Sequence, residues 1–289
     1  MTVTEPSATA PTGTVRWDLS GFGDEIDADP RVQAAVMRAL GASHIEVRSA
    51  WGTNIVDLSE EQLAELKSVL DEAGLKVSAI ASPIGKVDVA LPVDHEVERL
   101  GRALRAAEVL GAPYIRIFSF YYEGKAPEEV RDAVIERMTA LARRAEGTGV
   151  TLVHENEKDI FGDIPERVHD LVTAVDSPAL KLAWDPANFV QVGVKPFTQG
   201  YELLRPHVVY LQVKDALFAD GTVVPAGEGD GEVLATVEAL RDSGYTGFAS
   251  LEPHLAEGFA LGGFSGPYAF GVAARAFAKV LASAGVEAN

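Results

Sequence analysis

The sequence predicts a single (β/α)8 barrel, an α/β fold of the TIM type, and three observations predict it. The first is a local unit that keeps returning: a helical stretch, a Gly, then a short β-rich run. Gly41, Gly74, Gly111 and Gly149 each precede such a run, 33, 37 and 38 residues apart, which is about the length of one βα unit. Gly is favoured just past a helix C-terminus because φ is positive there. The second observation is the count, since eight such strands fit within 289 residues and single barrels commonly run to about 250. The third is that four successive late strands end in a group able to ligate a cation.

The strands are expected at about Asp18–Phe22, His44–Val47, Lys76–Ala81, Tyr114–Phe118, Thr151–His154, Leu180–Trp184, Val208–Val213 and Gly247–Leu251. Apolar runs of four to six residues, bounded by turn signals, suit strands buried on both faces. The helices carry their own ends. Ser59 with Gln62 forms a capping-box pattern ahead of Leu63, Leu66 and Leu70, and Gly74 stops that helix. Asp94 to Leu110 places Val97, Leu100 and Leu104 on one stripe. Pro127 opens a helix running through Val130, Val134, Met138 and Leu141 to Gly149. An open doubly wound sheet is the rival, but it usually carries a Gly-rich phosphate loop after its first strand. Here that strand runs into the acidic stretch GFGDEID, a poor dinucleotide fingerprint.

Composition and charge narrow the function classes. Hydrophobic residues at 47% and charged residues at 24% are ordinary for a globular domain. No Cys is present, which excludes disulfide scaffolds, thiolate metal sites and Cys nucleophiles. The net charge of −18 repels phosphate backbones, so nucleic acid is not an expected partner. Residues 1–14 (MTVTEPSATAPTGT) read as a disordered tail, with neither the basic start nor the apolar run of a signal peptide. The barrel domain is then 15–289. With no apolar stretch of about 20 residues to span a membrane, the expected address is the cytoplasm.

In such barrels the active site lies at the C-terminal ends of the strands. Strand five ends in His154-Glu155-Asn156-Glu157 and strand six in Trp184-Asp185-Pro186. Strand seven contains Gln212 and leads to Lys214-Asp215, and strand eight ends in Leu251-Glu252-Pro253-His254. Three carboxylates and an amide oxygen suit one hard or borderline divalent cation, Mn²⁺ or Mg²⁺. Without a cation, three converging acids repel one another and take raised pKa values. Strand-end acids also cap helices or pair with lysines, and that bland reading weakens as four consecutive strands share the pattern.

The motifs HENE at 154–157, WDPANF at 184–189, LQVKDA at 211–216 and SLEPH at 250–254 resemble those of the xylose isomerase-like barrels. This is the sugar phosphate isomerase/epimerase superfamily, with its ketose 3-epimerases and inosose dehydratases. The resemblance covers about residues 15–285. In that family Glu, Asp, His and Glu from strands five to eight hold one divalent metal, and by position these fall on Glu155, Asp185, Gln212 and Glu252. Gln212 departs from the family's His, and an amide donor shifts preference from zinc towards manganese or magnesium. Asn188 stands where epimerases often have His. The resemblance implies proton transfer next to a carbonyl through an enediolate, with Glu155 and Glu252 as catalytic base and acid. Elimination from a keto-sugar or keto-glycoside by a lyase or dehydratase is the alternative, and a non-catalytic sugar-binding or complex subunit is a second. The apurinic endonucleases share the fold but hold three zinc ions with many His, whereas this chain has six His and an acidic charge.

Substrate contacts are expected among Glu46, Lys86, His154, Glu157, Asn188, Lys214 and His254. Alternation turns His154 away from Glu155, so a packed histidine competes with a catalytic one. Glu46 with Arg48, and Lys214 with Asp215, read equally as ion pairs. Asp24 and Glu25 follow strand one. His254 suits the pocket or a helix cap. Lys86 follows a Gly/Pro loop at the barrel mouth. The aromatics Trp51, Phe118, Phe120, Tyr121, Tyr122, Trp184 and Phe189 suit packing or sugar stacking. The segment 258–267 is Gly-rich and apolar, a lid or a subunit contact. Cations are scattered, which favours a non-phosphorylated sugar or polyol, and association into a homo-oligomer or small complex is expected.

Overall fold

The computed structural model describes residues 15–255 and 265–288. Eight strands form the wall: β1 (Val15–Gly21), β2 (His44–Val47), β3 (Lys76–Ala81), β4 (Tyr114–Ile117), β5 (Thr151–Glu155), β6 (Leu180–Trp184), β7 (Val208–Val213) and β8 (Phe248–Leu251). They hydrogen-bond in the order β1-β8-β7-β6-β5-β4-β3-β2, and each of those pairings is parallel. A bridge between Phe22 and Glu46 brings β1 back to β2. A ninth strand, β9 (Val286–Ala288), pairs with the start of β1. The predicted (β/α)8 architecture is therefore the observed one.

The local signals act as expected. The glycines at 41, 74, 111 and 149 all take positive φ. Ser59 and Gln62 exchange both capping-box hydrogen bonds. The differences from the predicted ends have physical causes. β1 starts three residues early because Val15 to Trp17 pair with Val286 to Ala288. β5 runs on to Glu155, whose backbone registers with Ala183 of β6. The helix opened by Pro127 stops at Ala145, ahead of two left-handed glycines at 147 and 149. The tail at 1–14 and the stretch 258–264 lie outside the described residues, while Gly266 and Pro267 open the last helix (Gly266–Ala284). Among the described residues no helix is long and apolar enough to cross a membrane.

Inside the barrel the side chains form layers, as alternation requires. Ala79, Val153, Ala183 and Tyr210 make one apolar cluster, and Phe248 and Tyr114 pack against Tyr210. Above them sits a polar layer. The Tyr210 hydroxyl donates to Glu46 Oε2 at 2.7 Å, and Ser250 Oγ donates to the same oxygen at 2.6 Å. Ser78 and Ser20 extend the chain of hydroxyls. Glu46, expected to touch substrate, is fully buried in this layer, and Arg48, its expected partner, pairs elsewhere. Both Glu46 contacts are from donors, and burial pushes its carboxyl up to about 7, with Arg116 opposing.

The mouth is shaped by an extra ladder between the segments after β3 and β4. Phe118 N–H donates to Ile84 O, and Phe120 N–H to Gly85 O. Gly85 has φ +87°, and a Cβ there would stand 2.1 Å from the Phe118 carbonyl oxygen. Only Gly allows this approach.

Two outcomes follow from these contacts. Gly85→Ala is expected to destabilise the fold by about 2–4 kcal/mol, read by urea unfolding. Glu46 has a folded pKa above its unfolded one, so its contribution is complete below about 4.5 and lost as pH rises through about 7. Glu46→Gln should gain stability relative to the parent between pH 5 and 8, by up to about 3 kcal/mol. A difference that stays flat across that range would contradict a neutral buried carboxyl.

Candidate metal and active site

The strand ends deliver their acids to one place. One oxygen each from Glu155, Asp185 and Glu252 lie within 4.8 Å of one another, and all three residues are buried. Glu155 and Glu252 border a cavity of about 300 Å³ lined also by Arg48, Asn54, Ala81, Pro83, Lys86, Arg116, Glu157, Lys214 and His254, with Asp185 buried beside them. A larger hollow of about 530 Å³ beside β9 is mostly apolar, with Leu19, Leu281 and Val286 in its wall, so chemistry rather than volume locates the site.

Each acid is positioned by its neighbours. The Asn188 amide donates to Glu155 Oε1 and to the Asn156 carbonyl, both at 2.9 Å. Asn156 in turn accepts from Asp185 N–H at 3.0 Å and donates to the Asp185 carbonyl at 2.8 Å. Asp185 caps the short helix Pro186–Gln191 by accepting from Asn188 N–H. Asn188, expected at the substrate, thus has both amide N–H groups engaged in holding Glu155 and the strand-five turn.

Four cations face these acids. The Lys214 ammonium lies 2.8 Å from Asp185 Oδ2 and 3.1 Å from Glu252 Oε2. It does not pair with Asp215, which instead accepts backbone N–H groups from Ala216, Gly227, Gly229 and Gly231. Arg48 reaches Asp24, Glu25 and Glu252 at 2.9, 3.3 and 3.0 Å. Arg116 lies 3.0 Å from Glu155 and 3.8 Å from Glu252. Lys86 lies 3.0 Å from Glu157 and 4.2 Å from the Phe118 ring centroid. His254, at φ +45°, points its Nε2 to Glu252 at 3.1 Å and Glu25 at 3.4 Å, so it faces the pocket rather than capping a helix.

The field separates the two glutamates. Burial pushes Glu155 up against the pull of Arg116. Burial also acts on Glu252, yet Lys214, His254 and Arg48 hold it well below the usual range. Burial raises Asp185 to about 7 despite Lys214. Lys214 is raised well above its usual value, since Asp185 and Glu252 outweigh its burial.

The residues fit a divalent cation. Gln212 is fully buried on the strand between Asp185 and Glu252, and neither atom of its amide has a hydrogen-bond partner. Such an orphaned amide is rare unless something is bound to it. Glu155, Asp185, Gln212 and Glu252 are the residues that could hold the ion.

His154 lies on the far side of β5. Its Nε2 meets Ser119 Oγ at 2.9 Å, and Ser119 accepts from Gly162 N–H at 2.7 Å. Burial lowers its pKa to about 3, so it is a neutral packing residue that orders the loop carrying Glu157. The aromatics divide in the same way. Trp184 and Phe189 are core, while Phe118 supports Lys86 and Arg116. Sequence reasoning missed Arg116. Its signal was a lone Arg in the apolar strand YIRIF, where alternation sends it inward.

Comparison with known proteins identifies relatives of this chain. Residues 34–265 match the family model described as xylose isomerase-like TIM barrel. The chain is 30% identical over 239 residues to the 2-epi-5-epi-valiolone 7-phosphate 2-epimerase of Actinoplanes sp., covering 80% of this chain and 82% of that one. A structure of IOLI protein with a bound zinc atom superposes with TM-score 0.74 at 18% identity, over 92% of this chain and 98% of that one. A xylose isomerase-like TIM barrel protein from Mycobacterium smegmatis in complex with magnesium gives TM-score 0.69 at 20% identity, over 93% and 97%. The chain therefore belongs to the xylose isomerase-like TIM-barrel family and is an enzyme of the sugar isomerase and epimerase kind.

Proposed function

We propose that the protein is a divalent-metal-dependent epimerase or isomerase that moves a proton next to the carbonyl of a sugar or cyclitol. The observation that carries this reading is the convergence of Glu155, Asp185 and Glu252 on one point near the unpartnered Gln212 amide. Mn²⁺ or Mg²⁺ suits three carboxylates and an amide oxygen. Held there, the ion would polarise the substrate carbonyl and make the neighbouring carbon acidic.

The chain's own residues supply the rest. One of Glu155 and Glu252 removes the proton from that carbon, and the other delivers a proton to the opposite face. Atoms balance without any co-reactant, because the pair gains and loses one proton per turnover. Asn188 keeps Glu155 aligned, and Arg48 and His254 keep Glu252 aligned. Lys214 and Glu157 offer a donor and an acceptor to substrate hydroxyls, and Lys86 stands at the rim for a more distant group. The cavity volume suits one six- or seven-carbon molecule. Similarity to a 2-epimerase supports proton transfer over elimination.

The test pairs elemental mass spectrometry with deuterium exchange. After loading with Mn²⁺, the parent should hold about one ion per chain, and Glu155→Gln/Asp185→Asn should hold none while remaining folded. In D2O the parent should exchange the hydrogen next to the carbonyl of a phosphorylated or unphosphorylated ketose or polyhydroxylated cyclohexanone. Glu252→Gln should slow that exchange by at least about 100-fold. Absence of both metal and exchange in a folded parent would sink the reading.

A further inference from the structure

Arg116 is a buried cation with donor capacity left over. Its side chain lines the cavity at 5% exposure. The guanidinium carbon lies 4.7 Å from the Phe118 ring centroid and 5.2 Å from that of Phe22. Two aromatic rings therefore fix its position. Nη1 is engaged by Glu155 at 3.0 Å, with Glu252 at 3.8 Å, and Nη2 makes a long contact of 3.4 Å with the Ser82 carbonyl. Nε, also buried, has no partner.

A guanidinium carries five N–H donors, and a buried charged donor without an acceptor is costly. The other cations of the site differ in this respect. Arg48 is shared among three carboxylates, and Lys214 between two. Arg116 alone combines a rigid aromatic mount, donor capacity left over and an Nη1 group placed between Glu155 and Glu252. An oxygen that gains negative charge while a proton moves between those two glutamates would sit within its reach. Fixed donors aimed at developing charge are the strongest catalytic device available to such a site.

We propose that Arg116 is a catalytic residue whose guanidinium donates to the substrate oxygen gaining charge as the adjacent carbon loses its proton. This rests on the proton-transfer function proposed above. Lys cannot replace Arg here, because a point charge has neither the planar fork nor the ring stacking.

The experiment compares Arg116→Lys, Arg116→Ala and the parent, all loaded with Mn²⁺. Metal affinity and binding of glycolohydroxamate, a small enediolate mimic, are read by calorimetry. Deuterium exchange into the ketose and the cyclohexanone is read by NMR. Arg116→Lys should keep Mn²⁺ affinity within threefold, bind the mimic at least about 30-fold more weakly and exchange about 100-fold more slowly. Added guanidinium should restore part of the exchange to Arg116→Ala, which keeps the test open should the Lys variant fail to fold. Parent-like mimic binding and exchange in Arg116→Lys would overturn the proposal, as would a loss of both that merely follows a loss of Mn²⁺, or no rescue by guanidinium. If the parent itself neither binds the mimic nor exchanges, the function proposed above fails and this inference falls with it. A normal parent beside an unaffected Lys variant removes the inference alone.

Discussion

Mutual repulsion among buried carboxylates governs this molecule. Glu155, Asp185 and Glu252 are brought within 4.8 Å of one another by strands with an otherwise apolar backing. Left alone, such a trio takes up protons or opens the barrel mouth. What stands around it answers that problem. Arg116 comes from β4, Arg48 from just past β2, and Lys214 from just past β7, each aimed at a different acid. The carboxyl groups outnumber the cations around them, and a divalent ion would answer the remainder.

The support beneath the site is of a different kind. Tyr210, Ser250, Ser78 and Ser20 form a hydroxyl chain around Glu46, which occupies the barrel one layer below the acids. Burial pushes this carboxyl up to about 7, against the pull of Arg116 and the two hydroxyls that donate to it. The two layers thus differ: several counter-charges stand around the upper acids, while the single carboxyl below is held among hydroxyls.

The fold was largely legible because its signals are local. A Gly after each helix, a capping box at Ser59 and Gln62, and apolar four- to six-residue runs all act within a few positions. The acids of the site were legible too, since alternation and the end of an apolar run are enough to single out Glu155, Asp185 and Glu252. The counter-charges were not. Arg48 meets Glu252 across 204 residues and Arg116 meets Glu155 across 39, and no local pattern encodes such pairings. Glu46 shows the same limit. Its place at the end of an apolar strand matched that of the site acids, yet the strand stops one layer lower. Asn188 was expected to touch substrate, but its amide is engaged by Glu155 and Asn156, a commitment that only the three-dimensional arrangement reveals.

The pairing of β1 has a consequence for how the chain is made. Its hydrogen-bond partners are Phe248 to Leu251 on one side and Val286 to Ala288 on the other. The first strand of the barrel is therefore completed by segments far along the chain. Until those segments are made, β1 lacks its main hydrogen-bond partners next to an apolar interior, the condition under which nascent chains misassociate. Closure of the barrel is thus an event of long loop length, slow by topology. The carboxylate cluster completed by Glu252 at the end of β8 forms late in the same event. The repulsion built into the site is in this way postponed until the cations that answer it are already in place.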